Sequence, residues 1–313
     1  MKSGYRIATC FSLLLFIPVY LLGTHLADLG DQYHAGTYLS DWLGSSNLRQ
    51  SKWSPYDGYI QDKVIVMARL EEEPVDWVHE ELSDWQRAIY TVNPSKATLS
   101  DNNRLKTPVN KGHESMAYLT YLIDHYNNLP STVAFIHSHR SGFLMAWHND
   151  APLHDNVAGL QSLRLDFVQR NGYVNLRCNQ NPGCRQPQRH NSHITELVWT
   201  EVFEGTSTPP INSTTSAINA DDPLNQHEKR SKYLQIPTEI GAACCAQFAV
   251  SREQVLQRPR EDYIKIRQWV IDTDKNDASS GRVMEYLWHV IFGKESVYCP
   301  DEQLCYCQVY GQC

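Results

Sequence analysis

Histidine side chains are concentrated between positions 137 and 150, where His137, His139 and His148 are followed by Asp150. His137 and His139 are two residues apart, so both would face the same side of an extended strand. Imidazole nitrogens and a carboxylate are good ligands for zinc, manganese or iron, and such a set leaves coordination positions for a substrate. The pattern therefore predicts either a divalent metal site or histidines that hydrogen-bond the loop backbone, and the sequence leaves both interpretations open.

Candidate acid and base residues lie on either side of this stretch. Glu114 opens a predicted helix, where a carboxylate either interacts with the helix dipole or acts as a base in a cleft. Asp277 and Glu285 flank Arg282 in the last long predicted helix, and Arg282 and Glu285 are close enough in sequence to form an ion pair. Glu285, Asp277 and Glu114 are thus the catalytic candidates, with a structural ion pair as the alternative for the last helix.

Several other side chains are candidates for substrate binding. Arginine binds phosphate through a bidentate fork and lysine as a point charge, although both also form surface salt bridges. No glycine-rich phosphate loop, nucleophile elbow or His-Glu-x-x-His pair occurs, so most familiar enzyme classes lack support. The substrate-binding candidates are Lys111, Arg140, Trp147, Asn149 and Arg282.

The elements that would position these residues alternate between helix and strand. Residues 114–126 carry apolar side chains at three- and four-residue spacing, which predicts a helix, and residues 159–169 place apolar side chains on one face of a second predicted helix. Residues 63–69 contain five consecutive apolar residues and predict a strand, and residues 132–136 form a wholly apolar run typical of a strand covered on both faces. Strands and helices continue to alternate without hairpin signals, which predicts an α/β fold with a mostly parallel twisted sheet flanked by helices. Ligands in such sheets bind beyond the carboxyl ends of the strands, where His137 would lie.

The N-terminus predicts entry into the secretory pathway. Lys2 and Arg6 precede an apolar run that ends at Gly23, and this flank and length fit either an uncleaved signal-anchor or a cleaved signal peptide. We therefore expect a type II membrane protein of the endoplasmic reticulum or Golgi, or alternatively a secreted protein. The predicted organisation is an anchor or signal at 1–23, a stem at 24–61, and one luminal α/β domain at 62–313 with an insertion at about 204–235.

Cysteine usage supports an oxidising compartment. Of nine cysteines, Cys10 lies in the apolar run and eight remain for disulfides. Cys178 and Cys184 bracket a turn and are close enough in sequence to be bridged, the last four cysteines would staple the C-terminus, and the adjacent Cys244 and Cys245 are expected to pair elsewhere. Asn212 is an N-glycosylation acceptor. The disulfide candidates are Cys178, Cys184, Cys244, Cys245, Cys299, Cys305, Cys307 and Cys313.

Charge excludes one class of partner. The net charge is −7, and the 28 basic residues are scattered rather than clustered. A nucleic-acid-binding surface needs a basic patch. We therefore expect no nucleic-acid partner.

Several long motifs follow one another along the chain, including the runs starting at Phe135 (FIHSHR), Trp147 (WHND), Gly172 (GYVNLRC), Cys244 (CCAQFAVS) and Ser280 (SGRVMEYLWHVIFG). These motifs and their order resemble a known fungal family, domain of unknown function 3431. The resemblance covers about residues 63–313 apart from the insertion. The family name carries no activity, so the resemblance implies kinship and leaves the reaction open.

A first strand that ends in an acidic cluster is followed by a second strand, and then by Asn110-Lys111-Gly112, a helix and an apolar strand. This order of elements is similar to that of nucleotide-sugar glycosyltransferases of the GT-A type. In those enzymes an Asp-x-Asp after the strand holds a divalent metal on the donor diphosphate, whereas His137-Ser138-His139 occupies the comparable place here.

Three functional hypotheses follow from the sequence. The first is a membrane-anchored luminal glycosyltransferase that uses a nucleotide-sugar donor, an unknown acceptor and a divalent cation such as Mn or Zn. The second is a His/Asp metal-dependent hydrolase or oxidase acting on a small molecule such as a secondary metabolite. The third is a non-catalytic binding module.

Overall fold

The computed structural model describes residues 2–44, 62–190, 193–207 and 236–313. The chain divides into two compact units, residues 1–49 and residues 50–313. The glycosylation acceptor Asn212 and most of the predicted insertion lie outside the described residues.

The first unit contains two helices, α1 (Lys2–Gln32) and α2 (Ala35–Gly44). Among the helices that the structure describes, none combines the length and the apolar character needed to cross a membrane. The anchor or signal expected at 1–23 stays a prediction.

The second unit is built on strands that form two sheets. The strands are β1 (Lys63–Arg69), β2 (Gln86–Thr91), β3 (Thr132–His137), β4 (Tyr173–Asn175), β5 (Gly241–Ala242), β6 (Phe248–Ser251) and β7 (Val297–Tyr298). Five of them form one sheet in the order β2-β1-β3-β6-β4. In this sheet β1 is parallel to its neighbours β2 and β3, whereas β6 is antiparallel to both β3 and β4. A separate two-stranded sheet pairs β5 with β7.

The prediction of an α/β sheet flanked by helices is confirmed, but the prediction of a mostly parallel sheet was wrong, since the sheet is mixed. The strands β3 and β6 are buried on both faces, and this hides their direction. All four residues of β6 are buried, as are five of the six in β3. A strand covered on both faces gives an apolar run in either direction, so its sequence does not reveal which way it runs.

Alternate residues of the strands feed two separate apolar layers. Val64 and Val66 face one layer, whereas Ile65 and Met67 face the other. This is the period-two alternation of a sheet with a core on each side. The first layer also contains an aromatic cluster in which Tyr118 packs 4.7 Å from the ring of Phe135.

Helices cover both faces of this sheet. One expected helix, Gly159–Gln169, is instead two, because Arg164 adopts an extended backbone and its N–H donates to the carbonyl oxygen of Val309 at 2.8 Å. The helices of the second unit are α3 (Asp76–Glu81), α4 (Lys96–Ser100), α5 (Ser115–Asp124), α6 (Asn156–Ser162), α7 (Leu165–Asn171), α8 (Gln186–Arg189), α9 (Glu196–Phe203), α10 (Arg252–Leu256), α11 (Arg260–Asp272), α12 (Asp277–Glu285), α13 (Trp288–Ile291) and α14 (Glu302–Tyr310).

All eight predicted cysteines form disulfides, which indicates an extracellular or secretory-pathway location. Two bonds tie the C-terminal segment to the loop that follows β4. The pairs are Cys178–Cys305, Cys184–Cys299, Cys244–Cys245 and Cys307–Cys313.

Two expectations about pairing were wrong. Cys178 and Cys184 each bond a cysteine of the C-terminal segment rather than each other, because the chain brings that segment against their loop. Cys244 and Cys245 bond each other instead of pairing elsewhere. Sequence separation alone therefore predicted neither the partners of Cys178 and Cys184 nor the bond between the adjacent residues Cys244 and Cys245.

Candidate functional site

The candidate site lies at the carboxyl end of β3, where His137 is the last strand residue and pairs in register with Ala68 of β1. The backbone N–H of His137 donates to the Gln247 side chain at 2.9 Å, which fixes the end of the strand. The chain then leaves the sheet and returns with His148, whose Nδ1 lies 3.0 Å from Nδ1 of His137. The strand end and the following loop thus bring two imidazoles into contact.

Both imidazoles are held neutral. Burial is the main cause, and it lowers the pKa of His137 to about 4 and that of His148 to about 2. Neighbouring positive charge adds to the effect, since the side chains of His139 and Arg177 disfavour a second cation nearby. At neutral pH each imidazole therefore has one N–H group that can donate a hydrogen bond and one nitrogen lone pair that can accept one, and neither ring is positively charged.

Two carboxyl groups lie beside the histidine pair. Glu114, immediately before α5, places Oε2 4.0 Å from Nε2 of His137, and its side chain is 17% exposed. Burial raises the pKa of Glu114 to about 8, with further increases from the charges of Glu285 and Asp277. Glu114 is therefore a carboxylic acid at neutral pH that is still open to solvent.

Glu285, near the end of α12, is the second carboxyl group. Burial raises its pKa, and the Arg282 guanidinium opposes that rise through an N–O contact of 2.7 Å. Arg282 is about half exposed, whereas the Glu285 side chain is 12% exposed. We call Glu114, His137, His148, Arg282 and Glu285 the carboxyl–histidine cluster.

The rim of the cluster is held by an interaction between α12 and the turn before α5. The backbone N–H of His113 donates to Asp277 at 2.9 Å, and its Nε2 lies 3.1 Å from the other carboxylate oxygen. Gly281 allows this approach, because a Cβ there would lie 2.9 Å from Cγ of His113. The catalytic candidates Asp277, Glu114 and Glu285 are thus brought together, and their catalytic roles stay predictions.

The four predicted metal ligands are not brought together in this way. His139 faces Glu73 instead, with 3.7 Å between Nε2 and Oε1. Asp150 accepts the backbone N–H groups of Cys178 and Asn179 at 2.6 and 2.8 Å. The arrangement therefore gives Asp150 a loop-stabilising contact, while His137 and His148 remain able to bind a metal through their lone pairs.

The predicted phosphate ligands Lys111 and Arg140 also have structural partners. The Lys111 ammonium donates to the carbonyl oxygens of Ile271 and Thr273 at the end of α11. The Arg140 guanidinium contacts Glu81 at 2.8 Å and Asp155 at 3.3 Å. These contacts match the salt-bridge alternative more closely than phosphate binding.

The remaining substrate-binding candidates differ in their environment. Asn149 is buried and donates to the carbonyl oxygens of Ala146 and His154, so its side chain closes the loop. Trp147 packs 4.5 Å from the His148 ring and 4.9 Å from the Arg177 guanidinium, so it backs the cluster.

A second feature was not predicted from the sequence. An open cavity of about 310 Å³ runs along one side of β2, from Arg87 through Ile89 to Thr91, and reaches the carboxyl end of β1 at Arg69. Arg69, Arg87 and Arg104 line this cavity without any carboxylate in the lining, and we call it the arginine cavity. The guanidinium of Arg69 is fixed by the carbonyl oxygens of Glu71 and Glu73 at 2.7 and 3.2 Å.

Single arginines scattered over 36 positions give no signal in a sequence, because only the strand pairing brings them together. Gln247 and Gly281 were missed for the same reason, as their roles depend on contacts with distant residues. His137 of the carboxyl–histidine cluster lies at the carboxyl end of β3, and the arginine cavity reaches the carboxyl ends of β1 and β2 at Arg69 and Thr91. Sheets of α/β proteins bind ligands at this edge.

Comparison with known proteins gives one match. A family model described as "Protein of unknown function (DUF3431)" matches residues 65–308, which include every residue of the cluster and of the arginine cavity. No curated protein and no solved structure matches the chain.

Proposed function

Because the chain belongs to the DUF3431 family of proteins of unknown function, whose description names no reaction, we propose a function from the site: an enzyme that transfers a sugar from a nucleotide-sugar donor to an acceptor hydroxyl. The observation that carries the proposal is the pair of carboxyl groups, Glu114 and Glu285, that lies with Arg282 at the carboxyl end of the parallel strands. Sugar transfer to a hydroxyl needs a base for the acceptor and positive charge for the leaving phosphate.

Glu285 is the candidate base. Its raised pKa makes the carboxylate a stronger base than an ordinary glutamate, and Arg282 holds it in position. In the proposed reaction the acceptor hydroxyl proton moves to Glu285 while the acceptor oxygen bonds the anomeric carbon. The bond from that carbon to the phosphate oxygen breaks, and the nucleoside diphosphate leaves with the electron pair. Glu114, protonated at neutral pH, donates a hydrogen bond to the substrate.

The arginine cavity supports binding of the donor. The nucleoside diphosphate carries negative charge, which the exposed Arg87 guanidinium can meet by bidentate hydrogen bonds. Arg69, held by the carbonyl oxygens of Glu71 and Glu73, and Arg104, 3.4 Å from Asp101, add positive charge to the cavity. Because β1 lies between β2 and β3, a donor that binds in the cavity can extend its sugar along the sheet edge towards His137. The sequence resemblance to GT-A enzymes, in which His137-Ser138-His139 stands in the place of the metal-binding Asp-x-Asp, also suggests a nucleotide-sugar donor.

We also propose that this enzyme works in the lumen of the secretory pathway, anchored through residues 1–23 as a type II membrane protein or released from them. The disulfides support the compartment. Lys2 and Arg6 before the apolar run support the orientation, because positive flanks stay cytosolic.

Thermal shift of the full chain against a panel of nucleotide sugars, with and without Mn²⁺, tests the proposal. A ligand that binds the folded state raises its stability by mass action, by roughly 2.7 kcal/mol at a concentration of one hundred times Kd. We expect one donor to raise the melting temperature by several degrees and to release nucleoside diphosphate in the presence of an acceptor. The absence of a shift with any donor contradicts the transferase function.

Three variants separate binding from chemistry. Glu285→Gln should keep the thermal shift and lose product release, because the amide cannot accept the proton. Arg87→Ala, which changes an exposed side chain of the arginine cavity, should weaken the donor-induced shift. Glu80→Gln, an exposed carboxylate on α3, is the matched control and should change neither readout.

The two other hypotheses correspond to distinct results of the same experiment. A metal-dependent hydrolase or oxidase is supported by stoichiometric zinc or iron that is lost in His137→Ala or His148→Ala, without affinity for any nucleotide sugar. A binding module is supported when neither metal nor nucleotide binds. The contact between His137 and His148 is the observation that keeps the metal hypothesis in the test.

A further inference from the structure

The bonded cysteines Cys244 and Cys245 lie next to the carboxyl–histidine cluster. Both are buried, at 6% and 7% exposure. The backbone of Cys245 lies close enough to the His137 imidazole to favour its protonated form and so opposes the fall of its pKa. The two sulfur atoms and a carboxylate oxygen of Glu285 all lie within 4.8 Å of one another. Among the residues that the structure describes, this is the one group of three or more metal-ligating side chains that meets so closely.

We propose that Cys244, Cys245 and Glu285 form a binding site for a thiophilic divalent cation, such as zinc or cadmium, once the disulfide between the two cysteines is reduced. Two thiolates and one carboxylate are a donor set that zinc accepts, and its fourth position remains for water or substrate. This site is separate from the predicted His/Asp metal set, because none of its ligands belongs to that set.

The geometry fits such an ion. Bonds of about 2.3 Å to sulfur in a tetrahedron separate two sulfur ligands by roughly 3.8 Å, and the carboxylate oxygen is bound at about 2.0–2.2 Å. The three ligand atoms already converge within 4.8 Å, so the main change is the separation of the two sulfurs after reduction. Because both cysteines are buried beside the cluster, few competing ligands can reach the ion.

The charge of the site also balances. Two thiolates and one carboxylate carry three negative charges, and a divalent cation reduces this to one. The Arg282 guanidinium, 2.7 Å from Glu285, neutralises the remaining charge. A buried site with a net charge near zero avoids the desolvation cost of an unpaired buried ion.

The reduction needs a thiol co-reactant. Two small thiol molecules supply two electrons and two protons: the bond between the cysteine sulfurs breaks, two S–H groups form, and the small molecules join as a disulfide. Binding of the cation then releases the two thiol protons to solvent. The metal would occupy Glu285 and so remove the base from the transfer reaction, and this consequence, unlike the site itself, rests on the proposed function.

Cadmium titration of the reduced full chain tests the site without reference to activity. A phosphine reduces the disulfides, becoming a phosphine oxide with water as the source of the oxygen and the thiol protons, and is removed before cadmium is added anaerobically. The phosphine frees all eight cysteines, so the site is counted as the difference between the unaltered chain and its Cys244→Ser, Cys245→Ser variant reduced in the same way. We expect this difference to be one ion per chain, with the charge-transfer absorption of cadmium–thiolate bonds. The oxidised chain should show none, because disulfide sulfurs are not thiolates.

Two variants and one matched control assign the signal. Cys244→Ser with Cys245→Ser should lower the stoichiometry by one ion per chain, and Glu285→Gln should weaken the affinity for that ion on the order of tenfold or more, since loss of even an outer-shell partner costs about 10- to 100-fold. Cys307→Ser with Cys313→Ser, which removes a different disulfide, should leave the protection of Cys244 and Cys245 by cadmium unchanged.

Two results would overturn the proposal: binding by the Cys244/Cys245 double variant equal to that of the unaltered chain, or an unchanged affinity in Glu285→Gln. Alkylation of the reduced unaltered chain gives a readout that does not depend on the folding of any variant. Cadmium should protect Cys244 and Cys245 from alkylation, and equal labelling of these two residues with and without cadmium also overturns the proposal.

Discussion

Replacing Asp150 with asparagine should destabilise the fold by several kcal/mol, although a metal-ligand role would predict little change in stability without metal. The Asp150 side chain is 1% exposed, and its Oδ1 lies 3.8 Å from Nε of the Arg177 guanidinium, which is itself 0% exposed. Oδ2 accepts from the N–H groups of Cys178 and Asn179 and from the hydroxyl of Tyr306, at 2.6, 2.8 and 3.0 Å. This carboxylate thus joins the loop after β4 to the C-terminal helix.

The asparagine variant fails to reproduce these contacts in either orientation. If its amide oxygen takes the place of Oδ2, the NH₂ group faces the Arg177 guanidinium, so donor meets donor. If the amide is flipped, the NH₂ group faces the backbone N–H groups of Cys178 and Asn179. Removing one partner of a buried ion pair costs about 3–5 kcal/mol, because the other charge stays buried without compensation.

Thermal and denaturant unfolding of the full chain measure this cost. For a folded unit of this size, each kcal/mol lowers the melting temperature by about 2–4 °C, so Asp150→Asn should lower it by roughly 6–20 °C. Tyr306→Phe, which removes one of the hydrogen bonds and leaves the charge pair, should cost only about 1 kcal/mol. A loss below about 1 kcal/mol in Asp150→Asn, together with loss of a bound metal, would refute the structural role and restore the metal-ligand interpretation.

Three further predictions concern stability. Burial lowers the pKa of His289 to about 4, whereas a histidine of the unfolded chain has a pKa of about 6.5. As the pH falls below 6.5 the unfolded state therefore binds the proton first, and stability falls by about 3 kcal/mol as the pH approaches 4. In denaturant titrations at pH 7 and pH 4, His289→Gln should lose about 3 kcal/mol less stability than the unaltered chain, and parallel pH profiles would contradict this. Removing the Cys178–Cys305 bond should cost about 3 kcal/mol in chemical unfolding at non-reducing pH 7, because the Cys184–Cys299 bond remains and the lost bond closes a loop of only about 14 residues. An unchanged midpoint would show that the bond does not constrain the unfolded chain. Gly183→Ala should cost roughly 2–6 kcal/mol in the same assay, because the φ of Gly183 is +113° and a Cβ there would lie 2.1 Å from the Ala242 carbonyl oxygen. A cost within about 0.5 kcal/mol, the range of neutral surface changes, would contradict this reasoning.

The strands were the most predictable part of the fold. Residues 63–69 and 132–136 are apolar runs, and both are strands in the structure because an apolar run of that length fills both faces of a sheet. Strand direction was not predictable, since β6 is buried on both faces whichever way it runs. The helix break at Arg164 was missed because a long-range hydrogen bond to Val309 decides it.

The candidate site was predictable only in part. The apolar run at 132–136 predicted a strand with His137 at its carboxyl end, and His137 is the last residue of β3 in the structure. Ligands of α/β sheets bind beyond such strand ends. The rule does not say where the following loop turns, and Asp150, two residues after His148, faces Arg177 rather than the histidines. Glu114 lies 4.0 Å from His137, and Glu285 is 171 positions further along the chain, so only the packing of α12 beside α5 brings the two carboxyl groups close enough for their charges to interact.

The charge of the cluster constrains how a donor can bind. An Asp-x-Asp motif binds a diphosphate through a cation, but His137 and His148 are held neutral by burial and supply no positive charge themselves. Arg282 is partly neutralised by Glu285. The proposed transferase must therefore meet the diphosphate charge either with a metal on the histidine pair or with the arginine cavity, and Arg87→Ala tested with and without Mn²⁺ distinguishes the two. A donor-induced shift that needs Mn²⁺ and survives in Arg87→Ala assigns the diphosphate to the histidines, whereas a shift independent of Mn²⁺ and lost in the variant assigns it to the arginines.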